Sequence, residues 1–76
     1  MTNSEEIRAE ALRLAGEGMD PKEAATVLLG TGSRRVPVVS AKRALEVELS
    51  EHGGGNSTAR ALEIVNTMLA EGDWTE

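Results

Sequence analysis

A chain of 76 residues with a net charge of −5 and no cysteine has room for one small domain and no disulfide to brace it. Its one aromatic residue is a Trp, so any core must be aliphatic, and a single His without Cys removes the common zinc sites and leaves hydroxyl nucleophiles with one candidate base. The N-terminal MTNSEEIRAE is charged at once and lacks the apolar segment of a secretory signal, and the longest mostly apolar run, Ala24 to Leu29, is too short to span a bilayer, so a cytoplasmic location is the expectation.

The pattern predicts an all-α fold, a bundle of four short helices at about 3–17, 21–29, 39–52 and 57–71 in one domain. In helix 1, Thr2 or Asn3 is the expected cap, with Glu5 or Glu6 three residues on. Ile7, Ala11, Leu14 and Ala15 recur at helical spacing. Glu5–Arg8, Glu10–Arg13 and Arg13–Glu17 are placed to pair along the helix surface.

Helix 2 has the clearest start: Asp20 as N-cap, Pro21 at the first helical position and Glu23 in the first turn. Ala24, Ala25, Val27, Leu28 and Leu29 nearly encircle it, which predicts burial on most sides. Gly30 to Pro37 reads as a basic loop; Pro37 disfavours helix at Val36, and the β-branched Val36, Val38 and Val39 leave a short strand at 36–39 open.

Helix 3 is expected to bury Ala41, Ala44, Leu45 and Leu49, with Lys42 and Glu46 paired outside and Val47 off the buried stripe. The run His52-Gly53-Gly54-Gly55-Asn56 breaks it, with His52 suiting a solvated helix end. Helix 4, capped by Ser57 or Asn56, spreads Ala61, Leu62, Ile64, Val65, Met68 and Leu69 over an arc of about 160°. A face that wide meets two neighbours, either in the same chain or in a second copy.

Charge is unevenly placed. No acidic residue lies between Glu23 and Glu46, and that window holds Arg34, Arg35, Lys42 and Arg43, so it carries +4 against −9 elsewhere. Such division governs solubility, association rate and choice of partner rather than fold.

Catalytic motifs are absent. Gly30-Thr31-Gly32-Ser33-Arg34-Arg35 lacks the third glycine of a dinucleotide fingerprint and the lysine of a phosphate-binding loop, and Ser50 and His52 are two apart, which points them away from each other on a helix. The expectation is therefore a protein without enzymatic activity, cofactor, metal or small-molecule substrate.

Three binding roles fit. The first is protein–protein interaction, including self-association as a homodimer, because a chain this small buries only about 60% of its unfolded surface. Val47, Ile64, Met68 and Trp74 are the candidate self-association residues, and Arg34, Arg35, Ser40, Lys42 and Arg43 the candidate partner or nucleic-acid contacts. The second is DNA binding: over about ten residues the stretch beginning DPKEAA resembles the first helix of bacterial helix-turn-helix regulators. That resemblance implies helix 3 as the reading helix, with Ser40, Lys42 and Arg43 at base edges or phosphates and Arg34 and Arg35 on the backbone. The connection Gly30–Pro37 is about twice the usual three or four residues, and Glu46 and Glu48 would face phosphate. The third is a structural part of a phage or other assembly.

Overall fold

The structure, a computed structural model, describes residues 3–32, 34–53, 55–72 and 74, with Asn56 described by its backbone alone. It consists of four helices, α1 Ser4–Gly16, α2 Pro21–Leu29, α3 Arg35–His52 and α4 Asn56–Glu71, and no strand among the described residues.

Local chemistry accounts for the starts of α1 and α2 and the end of α3. The Asn3 side chain accepts the Glu6 amide at 2.9 Å, while Thr2 lies outside the described residues. Asp20 accepts the Lys22 amide at 3.2 Å, with Pro21 opening α2. Gly53 ends α3 in the left-handed region at φ 68°, which a side chain would strain. The expected cap of α4 is displaced: Gly55 is the capping residue, so Asn56 is already the first helical residue and Ser57 the second.

The largest correction concerns the start of α3. The stretch 36–39 is helix, not strand, and the helix begins at Arg35, four residues before the expected position 39. Pro37 permits this because it sits in the first turn, where no amide has a helical acceptor and no earlier turn meets its ring. The first backbone bond of the helix runs from the Val38 amide to the Arg34 carbonyl at 3.2 Å, one residue past the proline.

Helix α4 is the centre of the bundle. It packs against α1, α2 and α3 alike, so its wide apolar arc is filled within one chain. The stretch 20–49 contributes two helices that meet α4 but not each other. Ile7, Ala11 and Leu14 of α1, Leu28 of α2, Val38 and Leu45 of α3, and Ile64, Val65 and Met68 of α4 form the buried core. Alanines at 11, 24, 25, 41 and 61 are wholly buried among them, which lets the helices approach closely without any aromatic filler.

Three burial expectations change. Val27 is 48% exposed, so α2 buries one side rather than most of its circumference. Ala44 is exposed, and Val38 takes its place with Ala41 and Leu45 on the buried face of α3, because the helix starts earlier and inserts its first turn into the core. Leu49 is half-buried. The exposed area, 4682 Å², matches the roughly 4,500 Å² expected of a folded monomer of this mass, so no large unburied surface is left over.

Candidate interaction surface

Solvent sees α3 along one side, and that side collects the unusual residues. At 100° per residue, Val36, Arg43 and Val47 fall within about 40° of each other, and Ser40 and Glu51 extend the arc to about 80°. Val36 is 68% and Val47 53% exposed, the two most exposed large apolar residues described. Arg34 caps α3 and Arg35 opens it, both exposed.

This start is electrostatically unfavourable. Arg34 supplies no side-chain cap, the first turn of α3 holds no acidic residue, and two guanidinium groups lie at the positive end of the helix dipole. By contrast, the first turns of α1 and α2 carry Glu5, Glu6 and Glu23. A choice that local helix chemistry opposes is a marker of a surface shaped for something else.

Pairing sharpens the contrast. Arg8 reaches across from α1 to Glu48 of α3 at 3.5 Å, rather than pairing with Glu5 as expected. Lys22 meets Glu71 at 3.6 Å, and Lys42 meets Glu46 at 3.5 Å along α3. Arg34, Arg35 and Arg43 have no ion-pair partner among the described residues. Of the five candidate contact residues, Arg34, Arg35, Ser40 and Arg43 are thus exposed, whereas Lys42 is half-buried and already engaged.

The candidate self-association residues separate. Val47 lies on the outer face of α3, but Ile64 and Met68 are 0% exposed in the core and cannot touch a partner while α4 stays in place. Trp74 folds back over the end of α4: its Nε1–H donates to the Leu69 carbonyl at 3.1 Å, and its ring lies where a side chain at Gly72 would stand. These residues fill one chain's interior because α4 has three neighbours instead of two.

A shallow groove of about 530 Å³, open to solvent, runs between α1 and α3 and is lined in part by Arg8, Arg43, Ala44, Val47 and Glu48. Glu5, Glu51 and His52 complete its lining. Among the described residues no group of three His, Cys, Asp or Glu is placed to hold a metal, and no helix is long and apolar enough to cross a membrane. His52 is exposed.

The resolved shifts in acidity lie elsewhere, on α1. Arg13 bridges Glu10 and Glu17 at 2.7 Å each, and its hydrogen bond holds the Glu10 carboxyl below the usual 4.5 while Glu10 holds the Arg13 guanidinium higher than usual. Both groups are on the surface, where such pairs contribute little. A carboxyl whose folded value is depressed adds stability above its unfolded value, and that contribution is lost as pH falls through the folded value. Arg13→Ala should return the Glu10 midpoint toward 4.5, followed by carboxyl-carbon NMR; an unmoved midpoint would refute the pairing in solution.

The helix-turn-helix resemblance meets a mixed outcome in the geometry. The connection between α2 and α3 is Gly30–Arg34, shorter than the expected Gly30–Pro37 and closer to the length such pairs use. However, α2 and α3 do not pack on each other, which a helix-turn-helix pair does. Glu46 and Glu51 share the exposed side of α3 with the arginines. No protein-family model matches the chain, and no curated protein or solved structure matches it.

Proposed function

We propose that this protein is a non-catalytic interaction module that binds an acidic protein surface through the outer face of α3. The observation that carries the reading is the grouping of Arg34, Arg35 and Arg43, all without ion-pair partners among the described residues, beside exposed Val36 and Val47 in a chain of net charge −5. Apolar residues flanked by arginine are the composition of an interface core, and the local cationic field on an acidic body steers an acidic partner into register. No cofactor or small-molecule substrate enters this reading, and a cytoplasmic setting suits it.

DNA is the alternative occupant of the same arginines. The acidic residues on this face and the unpacked α2–α3 pair favour protein over phosphate backbone.

Titration with an amphipathic helical peptide of Glu and Leu, about 20 residues long, tests the reading. Amide shifts should concentrate at Val36, Ser40, Arg43 and Val47, and Arg34→Ala/Arg35→Ala/Arg43→Ala should weaken binding about threefold to a hundredfold, as three exposed charged contacts of roughly 0.2–1 kcal/mol each imply. Duplex DNA of equal charge, run at the same salt, is the second arm. Tighter binding of the duplex through the same residues would replace the protein reading, and shifts spread over α1 and α2 would end it.

A further inference from the structure

The groove between α1 and α3 is walled by an ordered row of side chains. Arg43, Val47 and Glu51 follow one another at i, i+4 and i+8, so they form a ridge along α3 about 12 Å long. A second shallow hollow, of about 390 Å³, flanks the same ridge and is lined by the same three residues together with Glu46 and Ser50. All three are exposed.

The two end charges have no ion-pair partner among the described residues, although the charges around them do. Glu46, the acid one turn from Arg43, is held by Lys42 at 3.5 Å. Glu48 is held by Arg8 at 3.5 Å. Arg43 and Glu51 are two turns apart, too far to meet each other. Glu5 of α1 lines the same groove and is likewise without an ion-pair partner among the described residues. Between the ends lie Val47 and Ala44, and the methyl group of Ala44 leaves room for close approach.

The form of the occupant follows from what the groove lacks. An extended peptide docks by adding a strand to a sheet edge, and there is no strand among the described residues. Proline-rich segments dock on aromatic walls, and the one aromatic residue, Trp74, is bonded to the end of α4. A helix satisfies its own backbone and needs only an apolar stripe and a groove between ridges.

We propose that this groove takes an amphipathic helix of a partner protein. Its apolar stripe sits on Ala44 and Val47, an acidic side chain meets Arg43, and a basic side chain about two turns away meets Glu51 and Glu5. This rests on the assignment of the outer face of α3 as the binding surface, and it specifies the acidic partner as a helix acidic at one end and basic at the other. The acidic end points along α3 toward Arg34 and Arg35. Opposite charges at the two ends fix the direction in which the helix lies, and a uniformly acidic helix would set a carboxylate against Glu51 and Glu5. The lining from Arg43 to His52 spans only about 14 Å, so the buried area stays below the roughly 1,200 Å² of stable complexes and the association is transient.

NMR titration of the full chain with three helical peptides, identical in their Leu and Ala stripe, tests this. One peptide carries Glu and Lys two turns apart beside the stripe, the second carries Glu at both positions, and the third Lys at both. The parent should bind the mixed peptide about twofold to thirtyfold more tightly than either uniform one, since each mismatch turns one exposed contact from attraction to repulsion. Amide shifts should follow Arg43 to Glu51 on α3 and Glu5 to Arg8 on α1. Preference should switch with the groove: Arg43→Glu should favour the Lys peptide, and Glu5→Gln/Glu51→Arg the Glu peptide, with circular dichroism confirming that both variants fold. Ala44→Leu fills the floor from a solvent-facing position, so it should weaken binding of all three peptides while leaving the fold intact. Equal affinity for the three peptides, preferences that do not switch, or an Ala44→Leu chain that binds like the parent would overturn the proposal. If the parent binds the Glu peptide most tightly, the acidic-partner reading stands and the mixed helix falls; if it binds none of the three, both fall.

Discussion

Replacing Ile64 with alanine should destabilise the fold by about 2–5 kcal/mol, independently of protein concentration. Ile64 is 0% exposed near the middle of α4, the helix that touches all three others. Truncating a buried aliphatic loses the transfer free energy of the removed carbons and leaves a cavity that close-packed neighbours only partly fill. A domain of this length has a total stability of roughly 4–11 kcal/mol, so the loss is a large share of it. The thermal midpoint should fall by at least about 8 °C, at roughly 4–8 °C per kcal/mol for a small domain. Concentration is the decisive variable. A residue buried between copies would matter less at dilutions where the parent is already monomeric. Urea unfolding at protein concentrations a hundredfold apart measures both; a cost under about 1 kcal/mol, or one that changes with concentration, would place Ile64 at an interface instead of inside.

The second large effect is a contrast along α3. Ala41→Leu should cost about 1–3 kcal/mol, and Ala44→Leu should stay within about 0.5 kcal/mol of the parent. Ala41 is 0% exposed, and three added carbons would push α3 off its neighbours or force strained side-chain conformations. Ala44 faces solvent, and leucine is nearly as good a helix former as alanine, so its backbone term is small. Denaturant midpoints with unchanged slopes would report the difference cleanly. Equal costs at the two positions would mean that α3 is rotated from the register described, and the outer face with its arginines and valines would be misplaced with it.

Much of the architecture can be read from residue patterns, because short-range chemistry governs it. Asn3, Asp20 and Pro21 mark helix starts through their own hydrogen-bonding and ring geometry, and α2 begins and ends where those signals put it. The concentration of cations between residues 24 and 45 is likewise visible in the chain alone. The start of α3 is not. Pro37 is a breaker inside a helix and harmless in its first turn, and the valines at 36, 38 and 39 suit a strand as readily as a buried helix face. Only the burial of Val38 against the rest of the core separates the two.

Periodicity by itself therefore determined that four amphipathic helices form, roughly where they lie, and that one segment is cationic in an acidic chain. Tertiary packing decided which apolar residues are spent on the interior. The width of an apolar arc says how many neighbours a helix can meet, but not whether they belong to the same chain. Here α4 meets three of its own, which withdraws Ile64 and Met68 from any surface and seats Trp74 on the helix end. The same packing leaves Val36 and Val47 outside beside Arg34, Arg35 and Arg43, since a bundle organised around one central helix covers only the inner side of each outer one.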